Sequence, residues 1–519
     1  MDTVLTARDS RWTVEPFRLG TPDEFARLRD LLLRARYTGP AICERLGIGT
    51  IHEFRSVTEH RPLVPELTDA QSLLLRLFLD ATGIGWNEVR SLLSPADVAA
   101  LEALGLLHTT DDGRCCATVL LYPTESLFIA SDRNQDPEAA SVRPPADVVY
   151  PAITRNTQRF LDLLPRTPCD AFLDLCSGTA IAALIAAHWS RESWAVDITS
   201  RATRFGHFNA LLNEVDNVVV VQGDLYEPVG DRTFDRIVAH PPYMPALQDE
   251  YAYRDGGEDG EQVTRRIVAG LPDHLRPGGR FYCTCLATDR EGAPVEARLR
   301  EMLGRAADDF DVVVAQMQTF EPTGYYARLA AEKNGRFAEV GEWQSHFKRL
   351  GVEELVFCRL VLQRRSTPRA VFTTRRQMGV ETDVADFDWL LDWETSQAQD
   401  PDGPPALIEA RPVANPGAEL RLVHRIESGE WVTAKCWVAT ERPFALEASC
   451  PVWMAAFLAR CDGTRTVREH LRHLKELGVV PEGAAEGEFV EMVRKFLGSG
   501  LLFREGLFDR HPPAPRRSG

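Results

Sequence analysis

A doubly wound α/β fold, a parallel sheet with helices on both faces, is predicted by three stretches of this 519-residue chain. Each is an apolar run of strand length that ends on an acidic residue. "AFLDLCSGTAIAALIAA" runs into Asp174, turns tightly through Gly178 and starts an Ala/Ile/Leu helix at once. "SWAVDIT" ends on Asp197, about 20 residues on, where an acidic side chain of such a fold reaches a ribose hydroxyl pair. "NVVVVQGDLYEP" ends on Asp224.

The remaining elements follow in chain order. "PDEFARLRDLLLRARY" sets Phe25, Leu28, Leu31 and Leu32 at helical spacing, and "GPAICERLGIG" is a short helix closed by glycine. The segment from Leu67 to Pro123 reads as three helices and a two-stranded wing turning at Asp112-Gly113. That makes residues 1–130 a winged-helix-like domain, with Ile129 to Ala146 as a linker or covering loop. Thr154, Thr157 and Leu161 sit on a helix just before the first core strand. "FDRIVAHPPYMP" is the fourth strand, "GGRFYCTCLA" the fifth, "FDVVVAQMQ" the sixth and "VEELVFCRLVLQRR" the seventh. The insertion between the last two carries Tyr325, Tyr326, Trp343 and Phe347, aromatic residues that pack a core more often than they line a cleft. Residues 131–368 therefore form the α/β domain and 369–405 a linker, with a boundary near Pro401. Residues 406–519 contain a hairpin turning at Ser428-Gly429, then a helical bundle, then a disordered tail "RHPPAPRRSG".

Composition narrows the function. A net charge of -17 argues against indiscriminate nucleic-acid binding. The densest basic stretch, Arg364, Arg365, Arg369, Arg375 and Arg376, is either a solvated linker or a strap for phosphates. Eleven scattered cysteines, several inside apolar runs, fit reduced thiols of a cytoplasmic protein. No Cys or His pair stands at metal-ligand spacing, so no metal site is expected. No signal-like start or membrane-length apolar run is present.

At Asp174, Asp197, Asp224 and the His240-Pro241-Pro242-Tyr243 loop after the fourth strand, the chain resembles a class I S-adenosylmethionine-dependent methyltransferase. The Pro-Pro-Tyr is similar to the Asn-Pro-Pro-Tyr of N-methyltransferases acting on planar amides and nucleobases. "RDGGEDGEQVTRRIVAGLPDHLRPGGRFYC" resembles the matching segment of the release-factor glutamine methyltransferase family, and the likeness runs from about Asp147 to Cys285. It implies a Rossmann-like seven-stranded methyltransferase core, flanked here by N- and C-terminal winged-helix-like modules. S-adenosyl-L-methionine would be held by Asp174, Cys176, Ser177, Gly178, Thr179, Asp197, Ile198, Asp224 and Leu225, with Asp197 on the ribose and Asp224 on the adenine amino group. His240, Pro241, Pro242 and Tyr243 would hold the acceptor.

Two places depart from the family pattern. Cys176 and Ala180 stand where the turn usually has glycines, and His240 stands where Asn or Asp is usual. Asn can only accept from the acceptor nitrogen, whereas a neutral His240 with an ordinary pKa near 6.5 could also remove a proton. The C-terminal module is similar to peptide-binding chaperone domains of modified-peptide pathways; a dimerisation or capping role is the alternative. The implied activity is N-methylation of a polypeptide or other macromolecule. Methylation of an RNA or DNA base, or a non-catalytic cofactor-binding scaffold, are the competing readings.

Overall fold

The computed structural model describes residues 16–54, 66–133, 144–248, 250–332, 338–399, 407–480, 483 and 485–504. The chain divides into two compact units. The first comprises the residues up to Thr288 with Glu301–Gly304 and Gly341–Val352.

Helix α1 (Pro22–Arg34) starts where Thr21 and Glu24 form a reciprocal capping box, and it buries the four predicted residues Phe25, Leu28, Leu31 and Leu32. Helices α2 (Gly39–Leu46), α3 (Ala70–Leu74), α4 (Trp86–Leu92) and α5 (Pro95–Ala103) follow. Strands β1 (Ile84–Gly85), β2 (Leu107–Thr109) and β3 (Arg114–Ala117) pair antiparallel in the order β1-β3-β2, with Gly113 in the turn at φ 83°. A second hairpin, β4 (Leu120–Thr124) and β5 (Leu127–Ser131), takes in Ile129, which the sequence placed at the start of a loop. The middle of that loop, 134–143, lies outside the described residues.

The central sheet of this unit is parallel, in the order β8-β7-β6-β9-β10: β6 (Cys169–Leu175), β7 (Ser190–Asp197), β8 (Val218–Gln222), β9 (Phe234–Ala239) and β10 (Leu275–Arg290). The chain winds outward one way from β6 and the other way from β9. The crevice at the carboxyl ends of these two strands is thus the topological switch point, where open α/β sheets bind ligands. Helix α6 (Arg155–Leu161) precedes the sheet, with Thr157 and Leu161 buried, and α7 (Ile181–Ala186), α8 (Ser200–Leu212) and α9 (Gln262–His274) connect its strands.

The N-terminal region packs on this core, and both fall within the first compact unit. Phe17 packs against Phe205 and Phe208 of α8 at 4.7 Å, and the guanidinium of Arg29 donates to the last carbonyls of α8, Leu211 and Leu212, at 3.1 and 3.2 Å. Two amides on α8 also serve as a sheet edge for β5. Asn213 exchanges hydrogen bonds with the N–H and carbonyl of Phe128, and Asn209 with those of Ala130. One helical turn nearly matches the two-residue repeat of a strand, so the side chains reach alternate residues. Arg201 on the same helix forms a buried bidentate pair with Asp132 at 2.6 Å.

After β10 come helix α10 (Val295–Leu303) and strand β11 (Phe310–Phe320). Helices α11 (Pro322–Glu332) and α12 (Ala338–Leu350) form the insertion before β12 (Val352–Arg364), so all seven predicted core strands are present. Tyr326, Trp343 and Phe347 of the insertion are buried. In the second unit β11 pairs antiparallel with β12.

The expected linker 369–405 is instead structured. Thr373–Gln377 forms β13, parallel to β11, and Val384–Gln399 forms α13. Burial drives this, because α13 inserts Trp393 into the hydrophobic core of the C-terminal residues. The Pro401 boundary and the tail 510–519 lie outside the described residues. In the C-terminal part, β14 (Pro412–Ala414) pairs with Leu502–Arg504. Strands β15 (Glu419–Glu427), β16 (Glu430–Thr440) and β17 (Leu446–Ser449) form a three-stranded sheet, with the tight turn at Ser428 and Gly429, both at positive φ. Helices Val452–Leu458, Val467–Glu476 and Glu486–Gly498 complete it.

Candidate active site

Strands β6 and β9 are neighbours in register, with Leu175 opposite Ala239. The residues that follow each of them, Cys176 and His240, therefore leave the sheet side by side. One strand end opens the small-residue turn and the other opens the His-Pro-Pro-Tyr loop.

The turn 176–180 is shaped by left-handed backbone at Cys176, Gly178 and Ala180, with φ of 57°, 53° and 62°. Cys176 and Ala180 are the two positions where glycine is usual, so the conformation persists although the residue that favours it is gone. Neighbouring groups impose it. The Ser177 N–H donates to the Val196 carbonyl at 3.1 Å, and the Gly178 N–H to Asp197 Oδ2 at 2.9 Å. Asn209 Nδ2 donates to the Thr179 carbonyl at 3.0 Å. A Cβ added at Gly178 would meet nothing within 4 Å, so the top of the turn is open.

Asp197 is fixed by the start of α8. Its Oδ1 accepts from the Thr199 N–H at 3.0 Å and hydroxyl at 3.1 Å, while the same hydroxyl caps the helix by accepting from the Ala202 N–H. With Gly178 on Oδ2, three of the carboxylate's roughly four acceptor sites are filled. One position on Oδ2 remains for a ligand hydroxyl, fewer than the two that a ribose pair asks for. Ile198, the next residue, is 59% exposed, an apolar face beside that carboxylate.

Asp174 is almost fully buried, and its Oδ2 has no hydrogen-bond partner among the described residues. Burial, with Asp197 adding to it, raises its carboxyl well above the usual range. Asp224 differs from expectation, because its Oδ2 is in an ion pair with Arg266 of α9 at 2.8 Å. Leu225 beside it is buried, at φ 52°. The convergence of these groups registers on Cys176. Its thiol is pushed well up, first by burial and then by Asp197, Asp174 and Asp224 in turn, with Arg266 opposing. Three strand ends thus bring three acidic side chains to one turn, with Asp174 held toward its neutral form by burial and Asp224 offset by Arg266.

The loop after β9 is packed largely by rings and glycines. His240 stacks on Phe160 of α6 at 5.1 Å and meets Tyr243 at 5.7 Å, and its Nε2 is buried with no hydrogen-bond partner among the described residues. Burial alone lowers its pKa to about 4, which corrects the ordinary value near 6.5 expected from sequence. The loop of Pro241, Pro242 and Tyr243 is braced by the glycine-rich segment that follows. Met244 and Gly256 exchange backbone contacts with Arg254 and Met244 at 2.9 and 2.8 Å, and the Ala246 N–H donates to the Gly257 carbonyl. The packing leaves no room for side chains: a Cβ at Gly256 would lie 2.7 Å from the Pro242 carbonyl and one at Gly260 2.4 Å from that of Tyr243. Glu261, buried just beyond, anchors this segment by accepting from the N–H and hydroxyl of Thr288 at 2.6 and 2.9 Å.

The thirteen site residues named from sequence all lie on the β6 to β9 strand ends or the loops directly after them. Sequence reasoning missed Thr199, Asn209 and Arg266, which hold the site together. A Thr two residues after a strand-ending Asp, at a helix start, was the legible signal for the first. The basic stretch is largely committed to structure. Arg369 is buried against Asp311, Arg375 pairs with Asp289 and Glu296, and Arg376 has its pKa lowered by burial. Among the described residues no group of three or more His, Cys, Asp or Glu could hold a metal, and no helix is long and apolar enough to cross a membrane.

Residues 151–307 match the family model of the methyltransferase small domain. Among curated proteins, the chain is 36% identical over 130 residues to the ribosomal protein uL3 glutamine methyltransferase of Bradyrhizobium diazoefficiens, covering 22% of this chain and 41% of that protein. It is 29% identical over 218 residues to the release factor glutamine methyltransferase of Moorella thermoacetica, covering 38% of this chain and 73% of that one. The chain spans about two fifths of the length of the first curated relatives it matches. Among solved structures, the ribosomal protein L11 methylase of Lactobacillus delbrueckii subsp. bulgaricus aligns at a TM-score of 0.23 and 15% identity, covering 40% of this chain and 76% of that one.

Proposed function

We propose that this chain is an S-adenosylmethionine-dependent N-methyltransferase that modifies a polypeptide. The observation that carries the reading is the adjacency of the two strand ends: a small-residue turn anchored on Asp197 beside a half-buried imidazole and a Pro-Pro-Tyr loop. The residues fit the methyl donor. Asp197 Oδ2 has room for a ribose hydroxyl, Asp174 Oδ2 leaves a polar atom for the donor's methionine end, and Ile198 offers an apolar face to the adenine. Backbone N–H groups from Cys176 to Thr179 would meet the methionine end, with Leu225 closing the pocket floor. Asp224 would reach the adenine amino group only while sharing its charge with Arg266.

When bound, S-adenosylmethionine supplies an electrophilic methyl, so the protein chiefly has to orient an acceptor and give it an available lone pair. The Pro241 carbonyl and His240 Nε2 would take the hydrogens of the acceptor nitrogen, and the ring of Tyr243 would lie against a planar amide. The names of the uL3 and release-factor relatives favour a glutamine in a protein of the translation apparatus. The pairing of Arg369 and Arg375 with carboxylates weakens the nucleic-acid alternative. The helices and sheet of the N-terminal region, and the three-stranded sheet and helices of the C-terminal part, are read as winged-helix-like modules that hold the substrate. A cytoplasmic setting fits the eleven cysteines, all free.

The test incubates purified protein with tritiated S-adenosylmethionine and cell extract, then fractionates the label. Protease-sensitive label is expected. Nuclease-sensitive label would replace the reading with base methylation, and cofactor binding without label in any fraction would favour a scaffold.

A further inference from the structure

Strand β15 is the outer strand of its sheet, and all nine of its residues are exposed. Sheet edges of this length invite another strand unless they are blunted by bulges, prolines or uncompensated charges, or covered. The bulge in the β15–β16 pair puts its extra residue, Ala434, on β16, so β15 itself runs unbroken. On one face, Leu420 and Leu422 lie opposite the buried Val438 and Cys436, and Ile426 lies opposite Trp431. The hydrophobic core thus continues outward as an apolar stripe: Leu420 is 52% exposed, Leu422 41%, Ile426 63% and Trp431 70%.

The sequence of the strand, Glu-Leu-Arg-Leu-Val-His-Arg-Ile-Glu, indicates what covers it. We infer that β15 pairs antiparallel with β15 of a second copy of this chain, about a two-fold axis at His424. In that register Leu422 of each copy faces Ile426 of the other, and Arg421 faces Glu427. Directly opposed residues share a face of an antiparallel sheet, so the apolar stripes merge on one side around a central pair of His424 rings, while the other side carries the Arg421–Glu427 pairs and sets Val423 beside Arg425. Each contact occurs twice, as a closed two-fold interface requires. A register centred one residue earlier, on Val423, would oppose Arg421 to Arg425 and Glu419 to Glu427, setting like charges together. Within one copy Arg421 already contacts Glu447 and Glu419, and Arg425 contacts Glu427. The second copy adds to these exposed pairs rather than breaking buried ones.

The contact is one strand wide, below the area of permanent dimers, so association is reversible and concentration-dependent. Sedimentation of the full chain from low to high micromolar concentration tests it. The expected result is a monomer shifting to a dimer of twice the mass. Ile426→Lys should weaken association by about tenfold or more, because the substitution counts twice. Arg421→Glu and Glu427→Arg should each weaken it, and the double variant should restore it. Circular dichroism and the thermal unfolding transition of Ile426→Lys serve as the folding control. A wild-type chain that stays monomeric throughout, association indifferent to Ile426→Lys, or failure of the double variant to restore it would overturn the inference. A monomer whose β15 instead takes up an added synthetic peptide strand would do the same.

Discussion

The two halves of the candidate site are built on opposite principles. The turn 176–180 is crowded with polar bonds: Asp197 alone accepts three, and Asn209 and the Val196 carbonyl hold two more backbone groups. The His240 loop is held by ring stacking and by glycines that admit close backbone, and it leaves an imidazole nitrogen without a partner among the described residues. The first half is held by its own polar bonds before any ligand arrives, with Asp174 Oδ2 lacking a partner among the described residues. The second is preorganised in shape but chemically incomplete, as a surface awaiting a hydrogen-bonding guest must be.

The largest expected effect falls on the first half. Asp197→Ala should lower affinity for S-adenosylmethionine by about 100-fold or more. It removes a charge-assisted bond to the ligand, worth about 1.5–3 kcal/mol, and also frees the Gly178 N–H from its anchor. Isothermal calorimetry reads this directly. Affinity within about tenfold of wild type would show that the turn does not depend on its carboxylate.

On the incomplete half, His240→Ala should leave that affinity nearly unchanged while methyl transfer falls roughly 10²–10⁴-fold. The pH profile sharpens the contrast. His240 must be neutral to accept a hydrogen bond or proton, and burial sets its pKa at about 4, so activity should fall only as pH drops through about 4. His240→Asn should lose that limb. Stability moves in the same direction: the folded pKa lies below the unfolded value of about 6.5, so the unfolded chain binds the extra proton and stability declines as pH falls from about 6.5 to about 4. An acid limb near 6.5 would mean that the ring is more solvated than its burial implies.

The smallest effect tests the strain in the turn. Ala180→Gly should stabilise the protein by about 1 kcal/mol, because a left-handed residue loses its Cβ penalty. Chemical denaturation of the two proteins side by side measures it, and a loss of stability would mean that the buried methyl group contributes more than the backbone strain costs.

The parallel strands and the acidic residue at the end of each were legible because apolar runs broken by Asp and Gly repeat along the chain. The hairpin at Ser428-Gly429 was legible for the same kind of local reason. The structure of 369–405 was not, since its polar, arginine-rich sequence becomes a strand only through pairing with β11 and through Arg369 on buried Asp311. Composition reported a solvated segment; long-range partners decided otherwise. The depressed pKa of His240 was equally hidden, because it comes from Phe160 and its surroundings, eighty residues earlier in the chain, and not from the loop that carries it. Asp224 kept its predicted position but gained Arg266, a partner that only the fold brings near.

The amide of Asn209 bears on how the chain can be taken apart. It is shared between Ala130 of the N-terminal hairpin and the Thr179 carbonyl of the turn. An excised core beginning near residue 131 would leave that amide half-used and Asn213 without Phe128, at the helix that also carries Arg201 and caps itself against Asp197. Transplanting the catalytic segment onto another scaffold would therefore require carrying β4 and β5 with it.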